Sequence, residues 1–125
     1  MNELIYRNEV YAITGAAMEV YNTLKPGFQE AVYQEALEIE LQLRQIPFES
    51  QKRIRIRYKE QLLQKEYIAD LVCYNAIIVE LKALQKLSGT EDAQLLNYLK
   101  ATQMRCGILF NFGHSQELEW KRFVL

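Results

Sequence analysis

The sequence predicts an α/β (α+β) fold: a mixed β-sheet with helices packed against it, in the order α-α-β-β-β-α-β-β. Three observations carry this. Up to about residue 45, apolar residues recur at three- and four-residue steps; at ESQKRIRIRYK the period changes to two; and two almost wholly apolar runs, AIIVELKA and CGILFNF, bracket a further helical stretch. At 125 residues and 14.7 kDa the chain is one domain's worth of sequence, so a single domain over residues 1–125 is expected.

From about Asn8 to Leu24, the residues Val10, Ile13, Ala17, Val20 and Leu24 make one helical stripe. Lys25-Pro26-Gly27 breaks it, because proline cannot continue a helix and glycine supplies the turn. A second helix is expected from about Gln29 to Gln45, with Val32, Ala36, Ile39 and Leu43 on its inward face, and Pro47 ends that region. In the first strand Ile54, Ile56 and Tyr58 point one way and Arg53, Arg55, Arg57 and Lys59 the other. Leu62 to Tyr74 and Ala76 to Ala83 read as two more strands, joined by a tight hairpin at Asn75. Ser88-Gly-Thr-Glu91 has the form of a capping box, opening a helix through about Thr102 with Leu95, Leu96 and Leu99 inward. CGILFNF follows as an interior strand, parallel to Ile78 at Ile108 because a helical crossover joins the two, and a short strand around Leu118 to Val124 completes the sheet.

Composition excludes several classes. Half the residues are hydrophobic and a quarter charged, the ordinary globular balance, which excludes disorder and collagen-like repeats. Fifteen Lys and Arg against sixteen Asp and Glu give a net charge of −1 and a pI near 5.9, so this is no histone-like polycation, although a local basic patch stays open. No apolar run approaches the roughly 20 residues of a membrane span, and the opening MNELIYRNEV lacks a signal-peptide core; a cytoplasmic protein without membrane partners is expected. Cys73 and Cys106 lie in apolar stretches and read as buried, reduced thiols. Lone His114, in the loop after NFG, reads as a solvated residue, and zinc or His-based catalysis usually needs more imidazole. Any chemistry must rest on carboxylates and amines.

The anomaly is Glu80 and Lys82 inside AIIVELKA. Ile77, Val79, Leu81 and Ala83 take one face, and Ile78, Glu80 and Lys82 the other. Charges on an otherwise buried strand cost several kcal/mol each unless paired or hydrated. With the turn at Asn75, Asp70 falls opposite Glu80 or its neighbour and can converge with it. A buried ion pair accounts for Glu80 with Lys82 but leaves Asp70 as excess negative charge. A hard divalent ion such as Mg²⁺ would resolve that excess, taking one or two carboxylates and keeping several waters. On spacing alone both readings stay open. Gln94 and Tyr98, four residues apart, and Glu30 and Tyr33, one turn apart, add polar groups on the flanking helices.

GFQEAVY, Gly27 to Tyr33, has the form G-x-x-E-x-x-Y, and with PFESQ, YIADLVCYNAIIVELKA, AQLLNYLKAT and GILFNFG it resembles the GxxExxY protein family. The likeness covers most of the chain, and that family looks like a compact branch of the PD-(D/E)XK nuclease superfamily. It implies a restriction-endonuclease-like domain in which Asp70 matches the first acidic residue, Glu80 and Lys82 the E-x-K, Glu30 the acidic residue of the early helix, and Gln94 and Tyr98 the Q-x-x-x-Y element. Two positions depart: Tyr21 stands where members commonly have His, and Lys25 where they have Gly.

What the resemblance implies is Mg²⁺- or Mn²⁺-dependent phosphodiester hydrolysis of nucleic acid, with DNA the first expectation. Asp70, Glu80 and the backbone carbonyl of Leu81 would hold the metal and Glu30 would support it. Lys82 would orient water or stabilise charge, and Gln94, Tyr98 and Tyr33 would bind substrate or order the site. A homodimer or larger complex is expected, since one small domain covers little nucleic acid. Two other readings remain: a nuclease-fold binding or accessory module without efficient turnover, and a structural protein whose polar network has no metal affinity. The row Arg53, Arg55, Arg57 and Lys59, spaced at roughly 7 Å intervals on a strand face, suits phosphates. It equally suits a solvated edge that discourages strand pairing.

Overall fold

Asn111, a fully buried amide near the C-terminus, fastens the two central strands of the fold at one end, and the elements are best followed towards it. The computed structural model describes residues 5–125; residues 1–4, part of the opening MNELIYRNEV, lie outside the described residues. The elements are α1 (Arg7–Leu24), α2 (Glu30–Leu43), β1 (Phe48–Tyr58), β2 (Gln61–Cys73), β3 (Ile77–Lys82), α3 (Thr90–Thr102), β4 (Cys106–Asn111) and β5 (Glu119–Val124). This is the expected α+β order. The five strands lie in the order β1-β2-β3-β4-β5. All pairs are antiparallel except β3 and β4, which run parallel with Val79 opposite Ile108 and with α3 as the crossover between them. No described helix is long and apolar enough to cross a membrane.

Several local expectations are corrected. On α2 the buried residues are Tyr33, Leu37 and Leu41, while Val32, Ile39 and Leu43 are exposed and Ala36 is half-buried. The helix carries two apolar stripes, and the one containing the large aromatic faces the sheet: the Tyr33 ring stacks on Phe112 at 4.8 Å. At α3 the cap is Gly89, not Ser88. Only half of the expected box forms, the Glu91 carboxylate accepting the Ser88 N–H at 2.9 Å. Leu95 and Leu99 are buried, whereas Leu96 is only half-buried. Lys59 lies in the β1–β2 turn with a left-handed φ of 54° rather than in the strand row. Lys25, which ends α1, also has a left-handed φ, of 62°, a conformation glycine adopts without strain.

Strand β3 separates two cores. Ile77, Val79 and Leu81 join the larger one, against α1 and α2; Ile78 joins the smaller one, under α3. Cys73 and Cys106 are both free and buried, and burial pushes the Cys73 thiol up to about 12. The β2–β3 hairpin turns through Tyr74 and Asn75, both left-handed at φ 55°, the signature of a tight hairpin turn.

Regular alternation breaks in the middle of β2. Leu71 and Cys73 face the larger core, yet Tyr67 and Ala69 face the smaller one. The break falls at Asp70, opposite Gln51 of β1, whose φ of 51° is left-handed. Beyond it β3 no longer pairs with β2, the last partners being Leu71 and Val79. From there β1 and β2 continue as a two-stranded arm that rests on α3 through Ile54 and Ile56.

The far end of β3 is fastened from β4. Asn111 uses its side-chain oxygen to accept the Leu84 N–H at 2.8 Å and its amide to donate to the Leu84 carbonyl at 2.9 Å. The Phe112 N–H donates to the Lys82 carbonyl at 2.8 Å. At Gly113 a Cβ would fall on the Leu84 backbone, so only glycine fits this crossing.

Candidate active site

The detachment of β2 from β3 creates the site. Asp70 sits where the ladder stops, and its carboxylate takes over a backbone role, accepting the Leu81 N–H at 2.8 Å. Its own carbonyl accepts the Gln34 side-chain amide at 2.9 Å. An open seam in a sheet exposes main-chain groups that need partners, and here a carboxylate and a helix-borne amide supply them.

Glu80 and Lys82 stay on the α3 side, as alternation along β3 requires. Both line a hollow of about 360 Å³ together with Gln94, Tyr98 and Tyr67. Glu80 is half-buried, and burial pushes its pKa up to about 7, against lowering by nearby Lys82 and by a hydrogen bond from the Asp70 N–H. The Tyr67 hydroxyl donates to Glu80 Oε1, and the Tyr67 ring stacks on Tyr98 with centroids 3.7 Å apart.

Asp70 opens on the other side. It lines a second hollow, of about 330 Å³, with Glu30, Gln34 and Glu38 of α2. The expected gathering in one place is therefore divided, with Asp70 and Glu30 on the α2 side and Glu80 and Lys82 on the α3 side. The physical reason is the reversal at Asp70, which turns its side chain away from the face that regular alternation would give it. The two halves remain in electrostatic contact. Burial raises the pKa values of both Asp70 and Glu30, while the Lys82 charge lowers both.

The other expected residues fall as follows. Gln94 and Tyr98 do share the Glu80 hollow. Tyr33 does not reach either hollow: it is fully buried, and its hydroxyl donates to the Lys25 carbonyl at 2.6 Å and accepts the Phe28 N–H, ordering the turn before Glu30. Leu81 keeps its side chain in the larger core. Arg53, Arg55 and Arg57 are exposed, on the opposite face of the arm from Ile54 and Ile56, and Arg53 pairs with Glu66 at 3.3 Å. Half-buried His114 accepts the Gln116 N–H on its ring nitrogen. Tyr67 is the residue that sequence reasoning missed. Strict alternation puts Ile68, not Tyr67, on the Glu80 face, and only the break at Asp70 reverses them.

Among the described residues no three His, Cys, Asp or Glu side chains stand together as a ready metal-binding group. The donor chemistry nonetheless suits a hard divalent cation, since Asp70 and Glu80 offer carboxylate oxygens from the two sides of the parted strands and such ions typically bind one or two carboxylates and keep waters.

No curated protein matches the chain. The crystal structure of SSO0001 is similar in fold, with a TM-score of 0.58 and 18% identity, over 75% of this chain and 48% of that one. The chain thus spans about half the length of that relative. A family model described as the PD-(D/E)XK nuclease superfamily matches residues 7–123. The match covers every element of the mixed sheet and its crossover helix, and the chain belongs to the PD-(D/E)XK nuclease superfamily.

Proposed function

We propose that this protein is a divalent-metal-dependent nuclease of the GxxExxY type, acting on nucleic acid, DNA foremost, in the cytoplasm. The observation that carries the reading is Lys82, the basic group whose charge reaches three carboxylates, Glu30, Asp70 and Glu80, each with its ionised form disfavoured by burial. One ammonium leaves negative charge in excess, which a divalent cation would offset. Superfamily membership supports the same reading, since its nucleases typically use divalent metals.

Asp70, Glu80 and the main-chain carbonyl of Leu81 would hold Mg²⁺ or Mn²⁺, with Glu30 in support. A cation bound there would polarise the scissile phosphoryl group. Lys82 would orient the attacking water or stabilise the developing pentacovalent charge. Gln94 and Tyr98, on the wall of the same hollow, would position the substrate, and Tyr67 would hold Glu80. Arg53, Arg55 and Arg57 would contact phosphates along the arm, with Lys59 beyond them at its turn. The buried, unpaired cysteines suit a reducing compartment.

A second reading, a binding or accessory module, is favoured by one feature: the catalytic carboxylates are engaged by protein groups, Glu80 by Tyr67 and Asp70 by Leu81. Cleavage of single- and double-stranded DNA and RNA with Mg²⁺ or Mn²⁺ decides. Cleavage by the native chain, abolished in folded Glu80→Ala and Lys82→Ala variants, is expected. Metal binding without cleavage would establish the accessory module, and undiminished cleavage by either variant would remove the residue assignment.

A further inference from the structure

Gly15 sits in the middle of α1, where a glycine weakens a helix. A Cβ there would come within 3.2 Å of Arg44 Nη1, so the bare Cα gives the guanidinium at the end of α2 a seat against α1. Arg44 Nε donates to Glu40 Oε2 at 2.7 Å, which fixes the head. Its terminal nitrogens have no hydrogen-bond partner among the described residues. The preceding residue, Thr14, is only 7% exposed, and its hydroxyl also lacks a partner among the described residues. A threonine inside a helix commonly bonds the carbonyl one turn earlier, and buried polar groups are rarely left unsatisfied.

Arg44 and Thr14 line one hollow of about 410 Å³. It is larger than either hollow of the candidate active site and shares no lining residue with them. Its walls include exposed Tyr11 and Met18 of α1 and Trp120 of β5, and no acidic side chain lines it. Both the size and the make-up, aromatic and apolar walls with a few polar groups, are those of a small-molecule site.

We propose that this hollow binds a small aromatic carboxylate. The ring packs on Trp120, Tyr11 and Met18, aromatic and thioether surfaces that suit it. The carboxylate accepts hydrogen bonds from the terminal nitrogens of Arg44, whose planar fork matches it, and another from the Thr14 hydroxyl. A nucleotide fits less well, because its sugar and phosphate bring more polar atoms than Arg44 and Thr14 can serve. A flat protein surface would cover the hollow without reaching Thr14, which is buried in its wall. The proposal is independent of whether the chain cleaves anything.

Trp120 is the single tryptophan of the chain, so its fluorescence reports on the hollow directly. Calorimetric titration of the full chain with benzoate, phenylpropionate and indoleacetate tests the proposal, with Trp120 emission as a second readout for the first two. At least one of these acids should bind saturably, and its neutral amide about tenfold more weakly, having lost the charge-assisted contact. Arg44→Gln should weaken the acid about tenfold and erase its advantage over the amide. Thr14→Val, close in volume, should weaken it severalfold; should that buried change unfold the chain by circular dichroism, exposed Arg44→Gln still decides. No saturable binding of any of the three acids overturns the proposal. So does equal binding of acid and amide, or undiminished binding by Arg44→Gln. Adenosine monophosphate binding more tightly than every acid would also overturn it, making the hollow a nucleotide site.

Discussion

The two faces of β3 place alternate residues of one short strand in different surroundings. On the α1–α2 face Ile77, Val79 and Leu81 meet a continuous apolar layer sealed by the stacked rings of Tyr33 and Phe112. On the α3 face Ile78 is followed by Glu80 and Lys82, covered by a smaller cluster and by the tyrosine pair Tyr67 and Tyr98. Both faces lose β2 beyond the Leu71–Val79 pair; on the first Leu81 stays buried in the larger core, whereas on the second Glu80 and Lys82 open on a hollow. Charge is tolerated on a central strand where a neighbouring strand has departed and water can enter.

The contrast can be broken most strongly on the closed face. Phe112→Ala removes a fully buried ring stacked on Tyr33 and should cost about 3–5 kcal/mol in urea unfolding. A loss below 1 kcal/mol would mean that this layer is less tightly packed than its burial indicates.

The open face should respond to pH instead. Glu80 has its pKa raised from 4.5 to about 7, so the folded state holds a proton that the unfolded chain has already released. The associated stability is fully present below about pH 4.5 and lost as pH rises through 7. At 1.36 kcal/mol per unit the loss is up to about 3 kcal/mol. Glu80→Gln should flatten this slope, and Mn²⁺ added at pH 8 should restore part of the native chain's stability if the metal binds. A native chain whose unfolding free energy is level from pH 5 to 8 would contradict the burial of Glu80.

The smallest effect sharpens the comparison at the edge of the α3 side. Glu91 accepts the Ser88 N–H, which holds its carboxyl below the ordinary range. Glu91→Gln should cost only about 0.5 kcal/mol, within the range of single helix-end contacts. It should leave the site intact, as measured by unchanged cleavage. A large loss of cleavage would instead assign Glu91, which lines the same hollow as Glu80, to the chemistry.

How much of this was legible in the sequence follows from which interactions are periodic. Element order, the parallel course of the strands that hold Ile78 and Ile108 and the hairpin at Asn75 all follow from apolar spacing and turn residues, which are local signals. The inward stripe of α2 was not legible, because Val32, Ile39 and Leu43 are as apolar as Tyr33, Leu37 and Leu41. Only the stacking of Tyr33 on Phe112, 79 positions away, chooses between them. At the site, Glu80 and Lys82 announced themselves as charges in an apolar strand. Tyr67 and the division between Asp70 and Glu80 did not. Both depend on the left-handed Gln51 and the reversal beside it, which no residue in PFESQ or YIAD signals through its own preference.

The side chain of Asn111 grips both main-chain groups of Leu84 while its amide also donates to the Glu119 carboxylate, and the bare Cα of Gly113 makes room for that grip. Sequence drift should therefore be cheap in the connection from Ala83 to Lys86 and dear at two positions nearly thirty residues downstream. The lysine beside the carboxylates inherits its placement from a distant amide, so a screen for lost function would find hits at 111 and 113 that touch no reacting group.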